Sequence, residues 1–79
     1  ADTPLAGAVK SVFAAWETAI AEAAATRGLS PKNAADFASA LVTSMEGAFL
    51  LSKTQRSVTP HLNAARAVKA LGASLVGKN

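Results

Sequence analysis

An all-α fold of three antiparallel helices is what this chain predicts, and two observations carry the prediction. Each of the three prolines follows a hydroxyl residue, at Thr3-Pro4, Ser30-Pro31 and Thr59-Pro60. That is the chemistry of a helix start: the hydroxyl accepts an orphan backbone N–H, and proline occupies a first-turn position where no N–H is needed. Between these marks, apolar residues recur at spacings of three and four, the helical period. The helices are expected at about residues 4–27, 31–55 and 60–76.

In the first helix Leu5, Val9, Val12, Phe13, Trp16, Ala19, Ile20 and Ala23 fall within about 120° of arc, which reads as one buried stripe. Arg27-Gly28 ends it, with glycine free to take the left-handed cap conformation. Leu29 stands just before Ser30, placed to fold back on the second helix as a hydrophobic staple.

The second helix is the informative one, because it is apolar around far more than half of its circumference. Small groups occupy one side, at Ala40, Ser44, Gly47, Ala48 and Leu51, and bulky ones the other, at Leu41, Val42, Met45 and Phe49. Such a helix has to be covered on two sides, and a chain of 79 residues can supply only one cover itself. The second cover is expected from a partner, most simply another copy of the chain. Gly47 in mid-helix costs about 1 kcal/mol relative to alanine. It reads either as a point of close approach by another helix or as a tolerated glycine.

The third helix places Leu62, Ala65, Val68, Leu71, Leu75 and Val76 on one broad face, with Asn63, Arg66, Lys69 and Ser74 opposite. The few residues around Arg56 to Thr59 force helices two and three to be antiparallel neighbours. Two such hairpins related by a two-fold axis make a four-helix bundle. Oligomerisation also suits the size: small domains are commonly held together by disulfides, a metal or association, and the chain has no cysteine and one histidine.

Catalytic chemistry finds little to work with. One histidine, no cysteine and five acids leave almost no members for a nucleophile–base pair, and Glu17 and Glu22 point about 140° apart on their helix. The five glycines are scattered, so no phosphate-binding loop exists. His61 reads as a surface or packing residue and Glu46 as a solvated one. No enzyme activity, cofactor or metal site is expected. The net charge is +3, but the basic residues are scattered and lack aromatic interleaving, which argues against direct nucleic-acid binding. Hydrophobic residues make up 51% of the chain and charged ones 16%, excluding a disordered tail. No unbroken apolar run approaches the ~20 residues of a membrane span, since Glu17, Glu22 and Glu46 interrupt the longest.

The four aromatic residues offer a different use. Phe13, Trp16 and Phe37, with Leu41 and Met45, could line a wall for an apolar or aromatic small molecule, or could simply fill a core. The segment from Leu41 to Ser57, followed by Val58 to Leu62 and Ala64 to Val68, resembles the end of a tetracycline-repressor (TetR) family regulator of the LmrA/YxaF-like branch. Glu46, Gly47, Ala48 and Leu51 match its Glu-Gly-Ala-x-x-Leu pattern, and Arg56 supplies the basic helix end. Phe13-Ala-Ala-Trp16 and Gly28-Leu-Ser-Pro31 are similar to the preceding family helix and its turn.

The resemblance implies a cytoplasmic transcriptional repressor whose C-terminal helical region forms a homodimer through its last two helices and binds a small apolar effector. DNA would be read by an N-terminal helix-turn-helix, of which these 79 residues contain no counterpart. The chain is therefore expected to be one helical domain, residues 1–79, from the C-terminal part of a longer regulator. Expected interface residues are Ala40, Ser44, Gly47, Ala48, Leu51, Leu62, Ala65, Val68, Leu71 and Leu75, and expected ligand-wall residues are Phe13, Trp16, Phe37, Leu41 and Met45. An alternative starts from Ala1, which is not methionine: a small exported helical protein, freed from a signal peptide, meeting a membrane or protein partner through its apolar face.

Overall fold

The structure, a computed structural model, describes residues 3–79, so the expectation drawn from Ala1 lies outside the described residues. Three helices are present: α1 (Pro4–Thr26), α2 (Pro31–Gln55) and α3 (Thr59–Leu75). They agree with the expected ranges to within a residue.

Two of the three starts are capped as expected. Thr3 Oγ1 accepts the Ala6 N–H at 3.0 Å, and Ser30 Oγ accepts the Asn33 N–H at 3.2 Å. Leu29 is buried in one cluster with Ala24 and Ala34, and Ala34 is the fourth residue of α2, which is the staple geometry. The third start differs. Thr59 is already inside α3, Val58 holds the cap position without a side-chain bond, and Leu62 donates its N–H to the Val58 carbonyl. Ser57 takes over the capping work: its Oγ accepts the Thr59 N–H at 3.1 Å and lies 3.0 Å from the Thr59 hydroxyl. A serine two residues ahead competed successfully with the threonine beside the proline.

The helix ends are closed by left-handed residues. Gly28 has φ +101°, and the Leu29 N–H returns to the Ala24 carbonyl at 3.3 Å. At the end of α2 the left-handed residue is Arg56, φ 52°, with the Ser57 N–H on the Ser52 carbonyl at 3.0 Å. Both are the six-to-one bond of a Schellman end.

Helix α2 is the middle element: α1 and α3 each pack along it, and their C-terminal ends meet beside its start. The molecule measures 37 × 31 × 16 Å, a thin layer. Its buried residues are mostly small, namely Ala24, Leu29, Ala34, Ala38, Val42 and Ala48. Phe37, Ala21 and Leu75 pack around the cluster where the end of α1, the start of α2 and the end of α3 meet. That end is also tied by backbone: the Gly77 N–H donates to the Gly28 carbonyl at 2.9 Å, and Asn33 Nδ2 donates to the Lys78 carbonyl at 3.3 Å.

The opposite end is open, which corrects the buried-stripe expectation for α1. Leu5 is 74% exposed, and Val9, Val12 and Trp16 are exposed too. Their common arc is as the periodicity requires, but of the expected stripe only Phe13 and Ile20 are half-buried, and α1 is fully buried only at Ala24, toward its C-terminal end. Periodicity reports which face is apolar and not whether anything covers it.

Candidate functional site

Two grooves that share lining residues run along α2. Between α1 and α2 a groove of about 350 Å³ is lined by Phe13, Trp16, Met45, Glu46, Phe49 and His61. Phe13 and Trp16 sit three residues apart on α1, so their rings meet edge to face with centroids 5.4 Å apart and planes at 75°. Met45 and Phe49 are one helical turn apart on α2 and form the facing wall.

Between α2 and α3 a second groove, of about 340 Å³, includes Leu41, Ser44, Ala48, Leu62, Ala65 and Val68. Met45 and His61 line both, so the grooves join. At the tied end Phe37 lines a smaller hollow of about 240 Å³ with Gly72 and Val76.

The expected ligand-wall residues are thus placed in three positions. Phe13, Trp16 and Met45 come together in the first groove, Leu41 lies in the second, and Phe37 is apart at the tied end. Of the other lining residues, Phe49 belongs to the aromatic set that the sequence offers for a cavity although it is not among the five expected wall residues, and Glu46 and His61 read as surface residues. A usable signal existed for Phe49, which lies four residues after Met45 and hence on the same face.

The expected interface residues divide as well. Ser44, Ala48, Leu62, Ala65 and Val68 line the α2–α3 groove, where Ala48 is only 5% exposed because α3 already covers it. Ala40, Gly47 and Leu51 lie along another side of α2, spaced seven and four residues apart. A methyl group built at Gly47 would have no neighbour within 4 Å, and Leu51 is half exposed. The glycine is therefore not explained by any contact within the chain. On α3, Leu71 is exposed and Leu75 half-buried.

Charges are sparse on this surface. The one ion pair among the described residues, Lys32 Nζ to Asp36 Oδ2 at 2.8 Å, lies on an exposed turn of α2, and the bond to Asp36 raises the Lys32 pKa. No group of three potential metal ligands occurs among the described residues. By length and composition alone α2 could cross a membrane, with a mean hydropathy of 1.2 in its most apolar stretch. Its apolarity equally suits a helix that is covered on several sides.

The family profile for the C-terminal domain of LmrA/YxaF-like transcriptional regulators matches residues 1–67. The chain belongs to this family. No curated protein and no solved structure matches it. The family match covers α1, α2 and the first half of α3, so both grooves lie on elements that it spans. An LmrA/YxaF-like C-terminal domain is a TetR-type regulatory module, which is not an enzyme family.

Proposed function

We propose that this LmrA/YxaF-like domain is the dimerisation and ligand-sensing region of a cytoplasmic TetR-like transcriptional repressor. Its DNA-reading helix-turn-helix would belong to a part of the regulator outside these 79 residues. The observation that carries the reading is the uncovered circumference of α2. Helices α1 and α3 cover only part of it, leaving a stripe that runs from the half-buried Ala40 to the exposed Gly47 and Leu51, with nothing among the described residues over the glycine. A second copy laid along that stripe gives the close helix approach that a glycine permits, and the α2–α3 hairpin then doubles into a four-helix bundle. Ser44, one turn from Ala40 and from Gly47, lies at the edge of the same stripe.

With that side used for association, the grooves remain for an effector, with Phe13, Trp16 and Met45 in their wall. Effector binding there would bias the relative tilt of the helices that meet at the dimer contact, the coupling a repressor needs.

Sedimentation velocity across micromolar concentrations tests the dimer. A reversible dimer is expected, and Gly47→Leu should weaken it at least tenfold while leaving the helical circular-dichroism signal intact, because leucine holds the packed helices apart. A folded monomer that stays monomeric at high micromolar concentration refutes the proposal.

A further inference from the structure

Along α2 the residues Asp36, Ala40, Thr43, Gly47, Leu50 and Thr54 follow one another at alternating spacings of four and three. That is the repeat of a seam between two helices, and it lies on the side of α2 left open by α1 and α3. All six are exposed except the half-buried Ala40. Leu50, the largest apolar side chain of the seam, is 64% exposed, and beside it Gly47 has room for a methyl group with nothing within 4 Å. Neither the exposed leucine nor the open glycine is explained inside the chain.

The edges of the seam differ in charge. One carries Phe37, Ser44 and Leu51, all neutral, and the other Ser39, Glu46 and Lys53. Glu46 and Lys53 are seven residues apart, hence on one edge but about 10 Å apart along the axis, too far to pair with each other. Both are exposed, and neither has an ion-pair partner among the described residues.

Symmetry gives this pattern a meaning. When two copies of a helix pack antiparallel about a two-fold axis, each edge faces the same edge of the other copy, run in reverse. With the axis level between Ala48 and Phe49, Leu50 enters the open space at the partner's Gly47, and the partner's Leu50 enters that at Gly47. The same register brings Glu46 to within about 3 Å, along the axis, of the level of the partner's Lys53, and does so twice. A parallel pair would instead set Glu46 against Glu46 and Lys53 against Lys53, which repel, and would leave glycine facing glycine. Charges flanking a helical seam set orientation and partner choice.

We propose that α2 meets α2 of a second copy antiparallel, with Leu50 seated on the partner's Gly47, and that reciprocal Glu46–Lys53 pairs select this orientation and this partner. The register rests on the dimer proposed above and fixes the direction of the two copies, which a glycine stripe alone leaves open.

Sedimentation equilibrium of the 79-residue chain at low ionic strength tests the charges. Glu46→Lys and Lys53→Glu should each weaken self-association about fivefold, since one reversal turns two attractions into two repulsions. The double variant should recover the original affinity, and an equimolar mixture of the two single variants should form a heterodimer tighter than either homodimer. The chain has no cysteine, so direction is read separately by disulfide formation between Gly47→Cys and Leu50→Cys chains mixed in a glutathione buffer. The mixed disulfide should dominate, whereas parallel packing would link each variant to itself. If the unsubstituted chain dimerises but the reversals change nothing, or each cysteine variant links to itself, the register and its charge selection are overturned while the dimer stands. If the unsubstituted chain stays monomeric, both readings fall.

Discussion

Replacing Gly72 by alanine sets two effects against each other at the tied end of the molecule. In an open helical position the exchange stabilises by about 1 kcal/mol, through helix propensity alone. At Gly72 the new methyl carbon would lie 3.0 Å from Phe37 Cε1 and 3.3 Å from Cζ, closer than ordinary contact. Phe37 packs against the Ala24, Leu29 and Ala34 cluster, so its ring can retreat only toward the hollow it shares with Gly72 and Val76, giving up part of that packing. Overpacking of this kind costs about 1–3 kcal/mol, so a net loss of about 1 kcal/mol is expected. For a domain of this size that lowers Tm by about 4–8 °C. Gly47→Ala is the control, since its methyl meets nothing within 4 Å, and it should raise Tm by a similar amount. Thermal melts at one fixed, low protein concentration read both, which keeps association out of the comparison. In a Phe37→Leu background Gly72→Ala should turn stabilising. Equal rises in Tm for Gly72→Ala and Gly47→Ala would refute the seating of Phe37 on the glycine, and with it the packing described for that end.

Three further substitutions probe the helix ends and the surface. Ser30→Ala should cost about 1 kcal/mol in chemical denaturation, because its cap joins the buried cluster, whereas Thr3→Ala should loosen only the first turn of α1 and leave Tm in place. Arg56→Gly should stabilise by about 1 kcal/mol in the same assay, by relieving a left-handed residue that carries a Cβ. The Lys32 pKa is raised by Asp36, so the pair's contribution is present below the ordinary lysine range and is lost as pH rises through the folded-state value. Melts between pH 9 and 12 should therefore show a small alkaline loss that Asp36→Asn lacks, and added salt should erase the difference because both groups are exposed.

The helices are legible in the sequence because proline, hydroxyl caps and glycine are local signals. Ser30 and Gly28 do their work within four residues of their own positions, and a sequence displays such relations directly. Thr59 misleads for a related reason: two hydroxyls, Ser57 and Thr59, compete for the same start, and the turn geometry set by Arg56 favours the first. The core is less legible. Hydropathy draws attention to Leu5, Val9 and Trp16, whereas the packing rests on Ala24, Ala34, Ala38 and Ala48, because alanine lets helices approach closely yet gives a weak apolar signal. The groove is legible in part. Phe13, Trp16 and Met45 share a wall, but Leu41 and Phe37 are separated from them by the long-range arrangement of α3. Glu46 and His61 each look like ordinary surface residues along their own helices. Only the packing of α1 and α3 on α2 brings them beside the aromatics.

The bond from Gly77 to Gly28 and that from Asn33 to Lys78 fasten all three helices at one end, with Gly77 and Lys78 lying beyond the last residue of the family match. In mechanical terms this end is a pivot and α1 a lever whose far tip is nearly its whole length away. At 1.5 Å per residue over its 23 residues, a tilt of about 5° moves that tip by roughly 3 Å, about the thickness of an aromatic ring. The Phe13–Trp16 wall sits at about the middle of that lever. A ligand wedged against it therefore gains leverage, while the small, well-packed alanine core near the fulcrum scarcely moves.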